Sequence, residues 1–107
     1  MQKKIKRVYV PMTETAFYIL FALQEERHGY DITQRTKVIT GGQVMISPGT
    51  MYGTLSKMEK DGLIVLVKEE DKRKFYRMTD VGREVLDTEL ARIERLYRNS
   101  KGESYGN

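Results

Sequence analysis

The stretch SPGTMYGTLSKMEKDGLI, from Ser47 to Ile64, decides how this chain folds. Ser47 offers a hydroxyl that can accept from a free backbone N–H in the first turn of a helix. Pro48 fits the first helical position, where its missing N–H leaves no bond unmade. Met51, Leu55 and Met58 recur at spacings of four and three, which is one apolar face of a helix. Gly62 supplies the left-handed conformation that ends it. The spacing therefore predicts a helix from Ser47 to about Asp61. Thr50, Tyr52, Gly53, Thr54 and Lys57 fall on its outward or flanking surface, which is short of acidic residues until Glu59.

Beyond it, Leu63 to Glu70 alternates in the manner of a strand, and Phe75 to Met78 reads as a second, shorter one. Asp71, Lys72, Arg73 and Lys74 between them make a charged tip, so the pair is expected to close as a β-hairpin. Thr79 and Asp80 cap a final helix, with a carboxylate in the first turn to meet the positive end of the dipole. Gly82 early in that helix marks close packing against the hairpin. Leu86, Leu90, Ile93 and Tyr97 follow at spacings of four, three and four, flanked by Glu89, Arg92, Glu94 and Arg95. This is an a/d seam of about two heptads, too short to pair alone. The polar tail from Asn99 to Asn107 is expected to be frayed.

On the other side, Gly41 and Gly42 close a helix expected from Tyr30 to about Ile39. Val44 to Ile46 form a short extended lead-in, and Glu25 to Gly29 reads as a loop. Thr13 caps an earlier helix running to about Gln24. Ala16, Ile19, Leu20 and Leu23 make one apolar stripe on it, while Phe17, Tyr18 and Phe21 spread apolar surface around the rest. A helix that is apolar on both sides must bury both. A chain of 107 residues has little second layer to offer, so a subunit interface is the economical reading. Residues 1–12, with Lys3, Lys4, Lys6 and Arg7, read as a mobile basic arm.

Composition narrows the function classes. The chain has room for one domain with a modest core. There is no cysteine, which removes disulfides and any thiol nucleophile. His28 is the only histidine and stands before a glycine, so it reads as a turn residue rather than a catalyst. Without Cys or a second His no zinc set can be assembled, and neither a metal, a cofactor nor an enzymatic activity is expected. The longest apolar run, Ala16 to Leu23, is far below the roughly 20 residues a membrane span requires. The basic N-terminus lacks the apolar segment of a secretory signal, so a cytoplasmic protein is expected. The net charge of +4 favours a polyanionic partner, through the release of condensed counterions.

Three helices, a two-stranded hairpin and a long last helix describe a winged helix-turn-helix, an α+β architecture that is mostly α. Its third helix enters the major groove and its wing lies against backbone or minor groove. The major groove admits one α-helix, and short polar side chains at its leading end reach base edges. Thr50, Tyr52 and Thr54 have that chemistry, and Lys57 suits a phosphate. Ser47 and the free N–H groups of the first turn form a phosphate cradle. Lys72, Arg73 and Lys74 place positive charge on the wing, with Arg77 at its base. Glu69, Glu70 and Asp71 read as a solvated hairpin tip rather than a metal site, because neighbouring strand residues point in alternating directions. Their charge argues mildly against a tightly bound wing tip. The expected organisation is an arm at 1–12, the winged domain at 13–79, a dimerisation helix at 80–100 and a flexible tail at 101–107.

The segments HGYDI (His28 to Ile32), SPGTMYGTLSKMEKDGLI and KFYRMTDVGREVL (Lys74 to Leu86) resemble the PadR family of bacterial transcriptional regulators. The likeness is to the short subfamily with a single C-terminal helix, and with the overall spacing it covers Thr13 to Tyr97. Gly53 departs from the pattern, since relatives often carry Pro there. The resemblance implies a homodimeric repressor that binds a double-stranded DNA operator, with each C-terminal helix packed on the first helix of the partner. It also implies a small aromatic or hydrophobic effector held at or near the dimer interface. By carry-over, Ser47, Thr50, Tyr52 and Lys57 are readers on the recognition helix, Tyr30 is a backbone contact, and Lys72, Arg73 and Lys74 are wing contacts. Phe17, Tyr18, Phe21, Leu86, Leu90, Ile93 and Tyr97 are the expected dimer interface. Phe17, Phe21, Ile93 and Tyr97 are candidates to line an effector pocket. The recognition helices of a dimer would lie about one helical turn of DNA apart, roughly 34–36 Å. The competing reading is a winged-helix module for protein–protein contacts without specific DNA binding, which the basic helix and wing argue against.

Overall fold

The computed structural model of the chain describes residues 1–106. Its elements run α1 (Lys3–Tyr9), α2 (Glu14–Ala22), β1 (Arg27–His28), α3 (Gly29–Ile39), α4 (Pro48–Lys60), β2 (Ile64–Glu70), β3 (Arg73–Met78) and α5 (Asp80–Ser100). Three of the helices begin on the hydroxyls read from the sequence. Thr13, Ser47 and Thr79 accept from the backbone N–H of Ala16, Thr50 and Gly82 at 3.1, 3.2 and 3.2 Å. Each such cap satisfies a donor that the helix cannot.

The core is built where these helices meet the base of the hairpin. Ile19, Leu20 and Leu23 close on Ile32, on the Met51–Leu55–Met58 face of α4, and on Leu63, Ile64 and Val85, all fully buried. Gly82 lets α5 start directly on this layer. A Cβ there would overlap the Leu63 carbonyl oxygen and stand 2.7 Å from Met78 Cγ. The sheet is antiparallel in the order β1-β3-β2. Its hairpin pairs Ile64 with Met78, Leu66 with Tyr76 and Glu70 with Arg73, with a bulge between Leu66 and Lys68. Among the described residues the outer edge of β2 is unpaired, and it carries the exposed Val65, Leu66 and Val67.

Several expectations need correction. The N-terminal arm is helical from Lys3 to Tyr9, because Ile5 and Tyr9 stand four apart and both bury against the body. The loop at 25–29 contains β1, whose Arg27 and His28 pair with Tyr76 and Phe75, and α3 already begins at Gly29. The hairpin tip is shorter than four residues. Only Asp71 and Lys72 form it, at φ 51° and 63°, the two-residue turn that suits the twist of paired strands, while Arg73 and Lys74 belong to β3. Leu86 is 0 % exposed and lies in the chain's own core rather than on the seam. The start of the tail folds back on α5: Glu103 N–H donates to the Arg98 carbonyl at 3.1 Å, and its carboxylate meets Arg98 Nε at 3.2 Å. Asn107, the last residue of the expected tail, lies outside the described residues.

Candidate nucleic-acid interface

Helix α4 presents its free face by elimination. Met51, Leu55 and Met58 fix the inward direction, and at about 100° per residue the opposite direction falls on Gly49, Gly53, Ser56 and Lys60. A Cβ added at Gly49 or Gly53 would meet nothing within 4 Å. Packing inside the chain therefore does not require either glycine, although glycine within a helix costs about 1 kcal/mol relative to alanine. What they leave is a smooth strip of backbone that a bulky surface can approach closely. Ser56 and Lys60 were not among the residues singled out from sequence. A helical wheel centred on the three buried residues finds them.

On one flank of this strip lies a groove of about 360 Å³ between α4, the start of α3 and the wing. Tyr30, Tyr52, Ser56, Lys72, Arg73 and Lys74 all line it. Tyr52 is 58 % exposed, yet one edge of its ring covers Gly29, where a Cβ would stand 3.0 Å from Cε1. Tyr52 thus packs on α3 and also lines the groove. The Arg73 guanidinium sits 6.0 Å from the Tyr30 ring centre, and its Nη1 is 3.5 Å from His28 Nε2. His28 caps α3, with Nδ1 accepting from Asp31 N–H at 3.3 Å, and its ring stands edge-on to Phe75.

The remaining candidates are placed differently. Ser47 spends its hydroxyl on its own helix, accepting from Thr50 N–H and donating to Thr50 Oγ1 at 3.0 Å. Thr54 is half-buried and, with Thr50, faces a cleft beside Met12 and Ala16 instead of the wing. Arg77 is exposed but does not line the wing groove, because it alternates with Tyr76 along β3.

Lys57 stands on the flank opposite the wing. Its Nζ is 3.3 Å from Asp61 Oδ2 and 5.5 Å from the Tyr9 ring centre, and the Tyr9 hydroxyl donates to the same Oδ2 at 2.7 Å. The Tyr9 bond, backed by Lys57, holds the Asp61 carboxyl below its usual range. Burial, then the Asp61 bond, pushes the Tyr9 phenol well above its own.

Residues 19–88 match the transcriptional regulator PadR-like family. The chain belongs to this family. The PadR-like chain is 36 % identical over 84 residues to the transcriptional regulator Rv3488 of Mycobacterium tuberculosis, covering 76 % of each. It spans only 40 % of the length of the transcriptional regulator YqjI of Escherichia coli, with 26 % identity over 83 residues. Among solved structures it resembles Bacillus subtilis PadR in complex with operator DNA, at TM-score 0.65 and 28 % identity over 73 % of this chain and 47 % of that one. A transcriptional regulator from Clostridium thermocellum shares the fold at TM-score 0.71 and 23 % identity, over 95 % and 96 % of the two chains. The winged-helix architecture read from the sequence is therefore the one found, in a chain that belongs to a family of transcriptional regulators.

The PadR-like chain has a second exposed surface, where α2 and α5 lie side by side. Leu90, Ile93, Leu96 and Tyr97 are each two-fifths or more exposed. Phe17 packs edge-on to Tyr18 and stacked on Phe21, with ring centres 5.5 and 5.8 Å apart. A groove of about 370 Å³ runs between the helices, lined by Phe17, Tyr18, Leu90 and Ile93. Phe21 and Tyr97 do not line it, so the structure gathers two of the four effector-pocket candidates. At the floor the Glu89 carboxylate, 1 % exposed, accepts from Met12 N–H at 3.0 Å and from Arg92 at 2.7 and 3.0 Å. Among the described residues no helix is long and apolar enough to cross a membrane, and no group of three or more His, Cys, Asp or Glu could hold a metal.

Proposed function

We propose that this chain is a cytoplasmic, homodimeric PadR-like repressor that binds double-stranded operator DNA and is released by a small hydrophobic or aromatic effector. The observation that carries the reading is the bare outward strip of α4 next to the wing groove. Gly49, Gly53 and Ser56 let the helix backbone enter the major groove, Tyr52 and Thr50 stand at its edges for base contact, and Lys72, Arg73 and Lys74 reach phosphates from the wing. Tyr30 makes a backbone contact from the same groove. The dimer is supported by the exposed Leu90, Ile93 and Tyr97 beside Phe17, Tyr18 and Phe21, since an apolar face of this kind on a regulator domain calls for a cover. The groove between α2 and α5 is the place for the effector. It is largely apolar, with the Glu89–Arg92 pair at its floor.

The test is a fluorescence-anisotropy titration of the protein's own upstream duplex and a random duplex at two salt concentrations. Tighter, salt-sensitive binding to the upstream duplex is expected. Equal, weak binding to both would overturn the specific-regulator reading, and no binding to either would point to the protein-interaction module instead.

A further inference from the structure

Helix α1 precedes the segment that matches the family, and nothing in the winged-helix reading uses it. We infer that α1 is a second DNA-backbone contact, holding the phosphate wall of the major groove opposite the wall reached by the wing. The inference rests on the reading of α4 as the recognition helix.

The docking of α1 is specific. Ile5 and Tyr9 turn one face inward, and the Tyr9 hydroxyl donates to the carboxylate of Asp61, the residue at the C-terminal end of α4. That face leaves Lys3, Lys4, Lys6 and Arg7 exposed. Among the described residues none of these four is in an ion pair, whereas Arg27, Lys57, Lys68, Arg83, Arg92 and Arg98 all are. Four cations within one seven-residue helix, with only Asp61 acting on Lys4, repel one another, and an external polyanion would relieve that repulsion.

Their position names which one. Lys4 and Val8 face Ser56, Lys57 and Lys60 of α4 across a groove of about 420 Å³. The single carboxylate there, Asp61, is already engaged by Tyr9 and Lys57. This groove borders the smooth outward strip of α4 on the flank away from Tyr52 and the wing cations. A helix seated in a major groove about 12 Å wide has a sugar–phosphate wall on each side. The wing stands at one wall, and Lys4 of α1 and Lys60 of α4 stand at the other, with Lys3 and Arg7 on the outward face of α1. Because α1 is docked before DNA arrives, its charges are already placed, and less ordering entropy opposes binding than for a free arm.

The test measures the salt dependence of duplex binding for three variants beside the wild type. Replacing Lys3, Lys4, Lys6 and Arg7 by Gln leaves Ile5 and Tyr9 in place and should make the slope of log K against log salt shallower by about 0.9 for each phosphate no longer neutralised. A control variant, Arg35→Gln with Lys37→Gln, removes exposed charge from α3 away from both flanks and should change the slope less per charge. Ile5→Ala with Tyr9→Ala keeps every charge but undocks the helix, and should weaken binding several-fold. An unchanged slope in the four-fold variant overturns the inference, as does undiminished binding by the undocked variant, which would show that a loose basic arm suffices. If a Lys72→Gln, Arg73→Gln, Lys74→Gln variant loses affinity while the α1 variant does not, α1 fails alone and DNA binding stands. Should the wild type bind no duplex at all, both readings fall together.

Discussion

Gly82 shows how much one hydrogen atom can decide. Its missing side chain lets α5 begin against the Leu63 carbonyl, so Gly82→Ala must push the helix off the sheet. Overpacking of this kind at a backbone contact should destabilise the protein by about 3 kcal/mol, read as a lower urea midpoint. Tyr9 acts over a longer reach. Tyr9→Phe keeps the ring but removes the bond to Asp61, and should lower stability by about 1–2 kcal/mol. The pair also sets a pH window. The Asp61 carboxyl is held low, foremost by the Tyr9 bond, so its contribution is present above the ordinary carboxylate range and lost as pH falls through the lowered value. The Tyr9 phenol is held high, foremost by burial, so its contribution is present below the ordinary tyrosine range and lost as pH rises beyond it. Thermal midpoints followed with pH should therefore fall at both ends, and Tyr9→Phe should flatten the alkaline limb. Gly82 was legible in the sequence because a glycine early in a helix has few other uses. The Tyr9–Asp61 bond was not, since its partners are 52 residues apart.

Among the elements, α4 was the most legible and its outward face the least. Ser47, Pro48 and Gly62 mark its ends by local chemistry alone. The outward face depends on where the rest of the chain packs, so polar residues on its flanks, Thr54 among them, drew attention ahead of Gly49 and Ser56. Gly53 tests the face directly. With open space around it, Gly53→Ala should stabilise the folded chain by about 0.5–1 kcal/mol through helix propensity. The same methyl should obstruct close approach to DNA, so thermal stability should rise while operator affinity, read by anisotropy, falls. Loss of both would mean that the glycine serves the fold instead. Strand β1 escaped notice because two residues carry no periodicity, and its pairing to β3 is a long-range fact. Helix α1 escaped because four basic residues masked an Ile5–Tyr9 pair at helical spacing.

For the molecule as a whole, the extents of 50 × 34 × 21 Å reflect a 21-residue α5 whose later turns have little of the chain beside them. From Leu90 onward the heptad spacing falls on exposed residues, Leu90, Ile93 and Tyr97. It could not tell that Leu86 is still inside, because periodicity gives direction around a helix and not depth along it. Ile93→Asp, at an exposed position, should leave the fold intact and shift the solution mass measured by light scattering from two chains to one, 12.5 kDa. A wild type already at one chain's mass would remove the dimer from the proposal. The open edge of β2 has a bearing on how the protein keeps in solution. Val65, Leu66 and Val67 along an unpaired strand form a template on which another copy could add. The bulge after Leu66 and the charged run Lys68, Glu69 and Glu70 interrupt that template. The carboxylates that would oppose phosphate at the proposed wing contact thus also protect the edge. An engineer who neutralised Glu69 and Glu70 to tighten DNA binding would obtain a protein that precipitates on concentration.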